Sequence, residues 1–179
     1  MIGRRRFLLQ AGASGGLIGL AGCGFRPAYM PTAADEAGTA QREMSAVFEE
    51  TIGERRGQLL RQALQQRFEL GGTGVAKRYS LSIIYGIGGE GVAIQPDTMV
   101  TRIRVIGNAD WYLVAQDPAK TRLAAGHARA VDGYNILNQQ YFYADLSNED
   151  AQKRLADALA SQIAIQVAAW FRSHEATAG

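Results

Sequence analysis

The chain has 179 residues, 19 basic and 17 acidic side chains and a formal net charge of +2. A single cysteine excludes an internal disulfide and a cysteine-rich zinc site, and only two histidines, His127 and His174, are available as imidazole bases. Three basic residues and no acid precede that cysteine, so the rest carries 16 basic against 17 acidic residues and lacks the cationic surplus a nucleic-acid partner needs.

The first element is an address. Arg4, Arg5 and Arg6 open the chain, and residues 7–22 are apolar and small. A charged start followed by an apolar run is the layout of a secretory signal peptide, too short and glycine-rich for a permanent span. The run ends in "LAGC", Leu20 to Cys23, which resembles the bacterial lipobox. That resemblance implies cleavage before Cys23, a diacylglycerol on its thiol and an acyl chain on the new amino terminus. No other cofactor is expected. "RRRFLL" also resembles a twin-arginine export signal, with Leu9 where lysine is usual. Residues 1–22 are thus read as signal and 23–41 as a lipidated start and tether. Pro27, Pro31 and small residues without a period predict an extended or disordered tether.

A domain is expected over residues 42–174, with 175–179 as a disordered tail. Met44, Ala46 and Phe48 alternate and predict a strand. A helix should follow, opened by a capping box of Thr51 and Glu54, stopped at Gly71 and buried along Leu60, Ala63, Leu64 and Phe68. Gly53 and Gly57 would let it approach a sheet. Tyr79, Leu81 and Ile83 share one face of a second strand. Gly86, Gly88 and Gly91 then match G-x-G-x-x-G, but "VAIQPDTMV" follows where a nucleotide fold needs a helix. These glycines therefore read as a hairpin or a bulged strand end.

Two long strands should meet at a turn over Asp117, Pro118, Ala119 and Lys120, with a bulge at Gly107-Asn108. Arg102 and Arg104 lie opposite Ile103 and Val105, the pattern of a sheet with one wet face. With Lys120, Arg122 and Arg129 they form a candidate anion-binding set, because arginine binds phosphates through charge-assisted, bidentate bonds. The amide-rich segment from Tyr134 to Tyr143 reads as a long connection. Its Tyr134, Asn135, Asn138, Tyr141, Phe142 and Tyr143 are candidate partner contacts. A capping box of Ser147 and Asp150 should open a last helix with a stripe of Leu155, Leu159, Ile163, Val167 and Trp170. The order strand, helix, three strands, helix predicts an α+β fold, two helices on one face of a four-stranded mixed sheet. No nucleophile or metalloprotease motif is present, and an enzyme is not expected.

"CGFRPAY", "ERRGQLLRQAL" and "GHARAVDGYN…YADLSNEDAQKRLADALASQIA" resemble the lipopolysaccharide-assembly lipoprotein LptE family, its alphaproteobacterial type best. The resemblance spans nearly the whole chain after the signal and implies the same strand–helix order. It implies a lipid anchor on the periplasmic side of the outer membrane, an LptD-type β-barrel partner that the protein plugs and helps assemble, and lipopolysaccharide as ligand. No catalytic residue is implied. The residues alone also fit an accessory lipoprotein of a periplasmic lipid-transport or secretion complex.

Overall fold

The computed structural model describes residues 39–69, 74–94, 100–136 and 141–175. Its elements run α1 Thr39–Ser45, β1 Val47–Glu49, α2 Glu54–Phe68, β2 Tyr79–Ile94, β3 Val100–Ala115, β4 Arg122–Asn135 and α3 Tyr141–Glu175. The strands form one sheet in the order β1-β2-β3-β4. β1 pairs parallel with β2, and the other pairs are antiparallel. This is the α+β architecture expected, with a short helix added before β1.

That addition corrects the first predicted strand. Thr39–Gln41, expected as the end of the tether, begin α1. Ala40 and Met44 lie four residues apart, so a helix buries both. Ser45 Oγ, 3.1 Å from Phe68 O, ties α1 to the end of α2. The strand is only three residues long and has the opposite phase. Val47 and Glu49 are buried, whereas Phe48 is 41% exposed.

In α2, Leu60, Ala63, Leu64 and Phe68 are buried as the periodicity required. The start differs. Gly53 occupies the N-cap without a side-chain cap bond, so the Thr51–Glu54 box is not made. Glu54 has a φ of 63°, a left-handed conformation that costs a residue with a Cβ. The Gln58 amide instead donates to Ile52 O at 2.8 Å. A Cβ on Gly57 would lie 2.6 Å from Ile52 Cγ2, so this glycine admits the entering loop rather than the sheet. The predicted stop at Gly71 lies outside the described residues.

β2 and β3 form a long antiparallel pair. Gly86, Gly88 and Gly91 sit inside β2, and among the described residues the next element is β3 rather than a helix. Pairing runs unbroken through Gly107 and Asn108, so the bulge expected there is absent. Irregularities fall between Gly91 and Ile94 and at Leu113/Val114. Gly107 serves close packing: a Cβ there would lie 2.8 Å from Leu155 Cδ2. Gly126 does the same for the Trp111 indole, whose Nε1 donates to Gln166 Oε1 at 2.8 Å.

α3 begins six residues before Ser147, which lies within the helix, so the predicted capping box does not open it. His174 and Glu175, read as frayed end and tail, are helical. Leu155, Leu159, Ile163 and Val167 are buried, and Phe171 rather than Trp170 completes the stripe. α2 lies beside α3, and Arg67 pairs with Asp157 across them at 2.8 Å. α3 also guards the β4 edge. Gln162 accepts from Arg129 N and donates to Arg129 O, while Gln166 donates to His127 O. A covered edge does not template further strands.

Candidate functional site

The helices leave one sheet face open. From the register it carries Glu90, Arg104 and Gly133 in one row, then Gly88, Ile106 and Val131, then Gly86, Asn108 and Arg129. Further along come Asp110 and His127, 2.8 Å apart and both half-exposed. Arg102 and Arg104 stand at one end, as their alternation with Ile103 and Val105 required. With Val92, Val131 and Gly133 they line a shallow cavity of about 470 Å³.

Both arginines are engaged. Arg102 donates to Asn135 Oδ1 at 3.1 Å. Arg104 Nε pairs with Glu90 Oε1 at 2.6 Å, and both side chains are half-exposed. Surface pairs of this kind contribute about 0–1 kcal/mol, so a competing anion can displace the carboxylate. Asp132 lines the same cavity and bonds Arg154 at 2.7 Å. Burial pushes its carboxyl up, but the Arg154 guanidinium and the Gly133 N–H outweigh burial and hold it below the ordinary value. The cavity is therefore amphiphilic: cations at its mouth, exposed Val92 and Val131 beside them.

The other candidate cations do not converge on this place. Arg122 pairs with Val114, ten residues along β3 from Arg104, roughly 33 Å at about 3.3 Å per residue. Its guanidinium lies 4.2 Å from the Tyr112 ring centroid, a cation–π stack. Lys120, with a φ of 48°, closes the β3–β4 turn beside it. Together with Ser80, Ser82 and Gln116 these residues line a second cavity of about 580 Å³. Arg129 is exposed between the two ends.

The aromatic connection is shorter than predicted. β4 continues through Tyr134 and Asn135, which pair with Ile103 and Arg102. Tyr141, Phe142 and Tyr143 open α3. Strand pairing and helix hydrogen bonding satisfy backbone groups that a loop would leave to water. Asn138 and Cys23 lie outside the described residues. Phe142 is 72% and Tyr143 61% exposed, and their rings meet edge to face with centroids 6.3 Å apart. Tyr134, Asn135 and Tyr143 line a cavity of about 400 Å³ with Ser147, Asp150 and Arg154. Exposed Leu146 extends this apolar tip. The hairpin pairing could have signalled Glu90, which sits opposite Arg104; Val92 and Val131 carried no sequence signal.

No family model matches the chain, and no curated protein matches its sequence. Solved structures do. A protein from Caulobacter crescentus CB15, described as a candidate lipoprotein, superposes with a TM-score of 0.60 at 20% identity, covering 73% of this chain and 94% of that one. Lipoprotein B from Nitrosomonas europaea, an uncharacterized protein solved in solution, gives a TM-score of 0.51 at 15% identity, covering 70% and 82%. The described domain has the fold of these two structures.

Proposed function

We propose that this chain is a lipid-anchored lipoprotein on the periplasmic side of the outer membrane. In this reading it plugs an LptD-type β-barrel, helps that barrel assemble, and binds lipopolysaccharide on its way to the cell surface. The fold shared with the C. crescentus lipoprotein carries the reading. The Leu20–Cys23 motif supports a lipid anchor, since two or more acyl chains hold a protein stably on a membrane.

The two ends of the domain then divide the work. The anchor-proximal end holds α1, the start of β2, the β3–β4 turn and the last turns of α3, where Tyr79 packs on Phe171. The far end holds Arg102, Arg104 and the exposed tip of Phe142, Tyr143 and Leu146. Cations beside exposed valines suit an amphiphile with phosphates on its head, such as lipid A. Amphipathic rings and amides suit the polar lumen of a large barrel. Photo-crosslinkers at Tyr134, Phe142 and Tyr143 of the native lipoprotein test this. Crosslinks to an outer-membrane β-barrel are expected. Crosslinks only to an inner-membrane transport ATPase would replace the reading with that of an accessory lipoprotein.

A further inference from the structure

The cations at the β3–β4 turn have no part in the proposed function. Leu81 and Leu113 belong to the buried core, so by strand alternation Ser80, Ser82, Tyr112 and Val114 face the open side of the sheet. They floor the cavity of about 580 Å³ beside that turn. Its two sides carry opposite charge. From β4, Arg122 lays its guanidinium over the Tyr112 ring, 4.2 Å from the centroid. Stacking uses the flat face of the group and leaves its in-plane N–H donors for a ligand. Lys120, in the turn just before it, lines the same cavity. From the β1 side comes Glu50, whose N–H donates to Leu81 O at 3.0 Å and so holds it next to Ser82. Three strand spacings, roughly 14 Å, separate the β1 and β4 backbones. Arg122, Lys120 and Glu50 form no ion pair with any described residue, and the Ser82 and Tyr112 hydroxyls between them have no partner there either. Asp117 also lines the cavity, but its two oxygens accept from Thr121 N and Thr121 Oγ1 at 3.1 and 3.2 Å, which folds it into its own turn.

We propose that this cavity holds the headgroup of a phospholipid that carries a phosphate and a primary ammonium, the phosphate on Arg122 and Lys120 and the ammonium on Glu50. An arginine fork takes phosphate oxygens in a bidentate, charge-assisted way, and the lysine adds a point charge. Unpaired groups of both signs on opposite sides complement a zwitterion. A headgroup with a phosphate alone would leave Glu50 as an uncompensated like charge, and a quaternary ammonium would bring Glu50 no N–H. The Ser82 and Tyr112 hydroxyls stand where the remaining phosphate oxygens need donors. Position favours a lipid over a soluble ligand. Arg78 N donates to Ala46 O, and Gln116 N to Arg78 O, so the end of α1 and the turn lie in one row. Sixteen residue steps separate Thr39 from Cys23, at most about 58 Å of chain. A membrane that holds Cys23 is therefore within reach of the cavity. The inference rests on the lipid anchor of the proposed function, and not on its barrel or its lipopolysaccharide.

The test is flotation of residues 24–179, which keep every described element and no acyl chain, with phosphatidylcholine vesicles, alone or with an equal fraction of phosphatidylethanolamine or phosphatidylglycerol. Without the anchor this readout does not depend on acylation of Cys23, which palmitate labelling reports separately. Phosphatidylethanolamine vesicles should hold the chain about tenfold better than phosphatidylcholine alone, the worth of one charge-assisted bond. Soluble glycerophosphoethanolamine should displace it. Arg122→Gln should lose the preference, whereas Arg55→Gln, an equal loss of charge on α2, should keep it. Glu50→Gln should lower binding to phosphatidylethanolamine and not to phosphatidylglycerol, the opposite of what removing a carboxylate does to general attraction. All three positions are exposed, so thermal midpoints should hold. Equal binding to phosphatidylcholine and phosphatidylethanolamine, or stronger binding to phosphatidylglycerol, overturns the proposal. So does a rise on Glu50→Gln with both lipids. Displacement by inorganic phosphate as effective as by glycerophosphoethanolamine would make this a site for a free anion and overturns it too.

Discussion

Gly126→Ala is a one-carbon change whose consequence can be worked from the structure. The new Cβ would lie 2.6 Å from Trp111 Cζ2, 2.7 Å from Cε2 and 2.8 Å from Gln166 Oε1. The indole is rigid and only 2% exposed, so it must tilt as a body. Tilting strains its 2.8 Å bond to Gln166, whose amide also donates to His127 O at 3.0 Å. Overpacking a core costs about 1–3 kcal/mol, and a weakened buried donor adds to that, so about 2–4 kcal/mol in all is expected. Urea unfolding followed by near-ultraviolet circular dichroism measures it. The midpoint should fall by roughly 1–2 M at unchanged slope. Gly86→Ala is the matched control, with open space at its Cβ. It should be neutral or stabilise by up to about 1 kcal/mol, since alanine restricts the unfolded chain. The packing argument fails if Gly126→Ala unfolds with the parent, or if Gly86→Ala loses as much.

Further outcomes follow from the same contacts. Cys23→Ala should abolish incorporation of radiolabelled palmitate and release the protein from membranes; label entering the variant would remove the lipobox reading. Arg102→Glu with Arg104→Glu should weaken binding to lipopolysaccharide at low salt, and Glu90→Ala, which frees Arg104, should strengthen it; binding unmoved by either would take this cavity out of the site. Phe142→Ala should cost under about 0.5 kcal/mol, as exposed positions do, and a loss of several kcal/mol would put that ring in the core instead of at a contact surface. Glu49 is buried, with Oε1 unpartnered among the described residues, and burial pushes its carboxyl above the ordinary 4.5 despite Lys77 and Arg61 nearby. The folded state therefore holds that proton more tightly than the unfolded chain. Its stabilisation is complete below the unfolded value and is lost as pH rises through the folded one. Glu49→Gln should flatten this decline above pH 4.5, measured as urea midpoints; an unchanged decline would assign it elsewhere.

Long periods were legible and short ones were not. The stripes of α2 and α3 each repeat over several turns, so their buried faces could be read residue by residue. The β3–β4 hairpin was legible because Asp117 and Pro118 separate two alternating runs. β1 was not, because a three-residue strand has too little alternation to fix its phase. Its pairing with Tyr79, Ser80 and Leu81 sets that phase, and Phe48 faces outward as a result. The apparent caps at Thr51 and Ser147 failed for a related reason. A capping box marks where a helix can begin locally, whereas packing of the preceding loop or an earlier turn decides where it does. Tyr134 and Asn135 read as loop from their composition, yet β3 was long enough to hold them in register. For the candidate site, the arginine face was legible from alternation. The distance separating Arg104 from Arg122 was not, since it depends on how far the strands run before they turn.

Gln162 and Gln166 have a consequence beyond the stability of β4. A sheet with two open edges can add copies at both sides, and edge-to-edge association then propagates into a fibre. Here the middle of β4 is occupied by carboxamides from the chain's own helix. A strand arriving there would have to displace both carboxamides before it could pair with Arg129 or His127. The two glutamines thereby keep the sheet from growing at both sides at once.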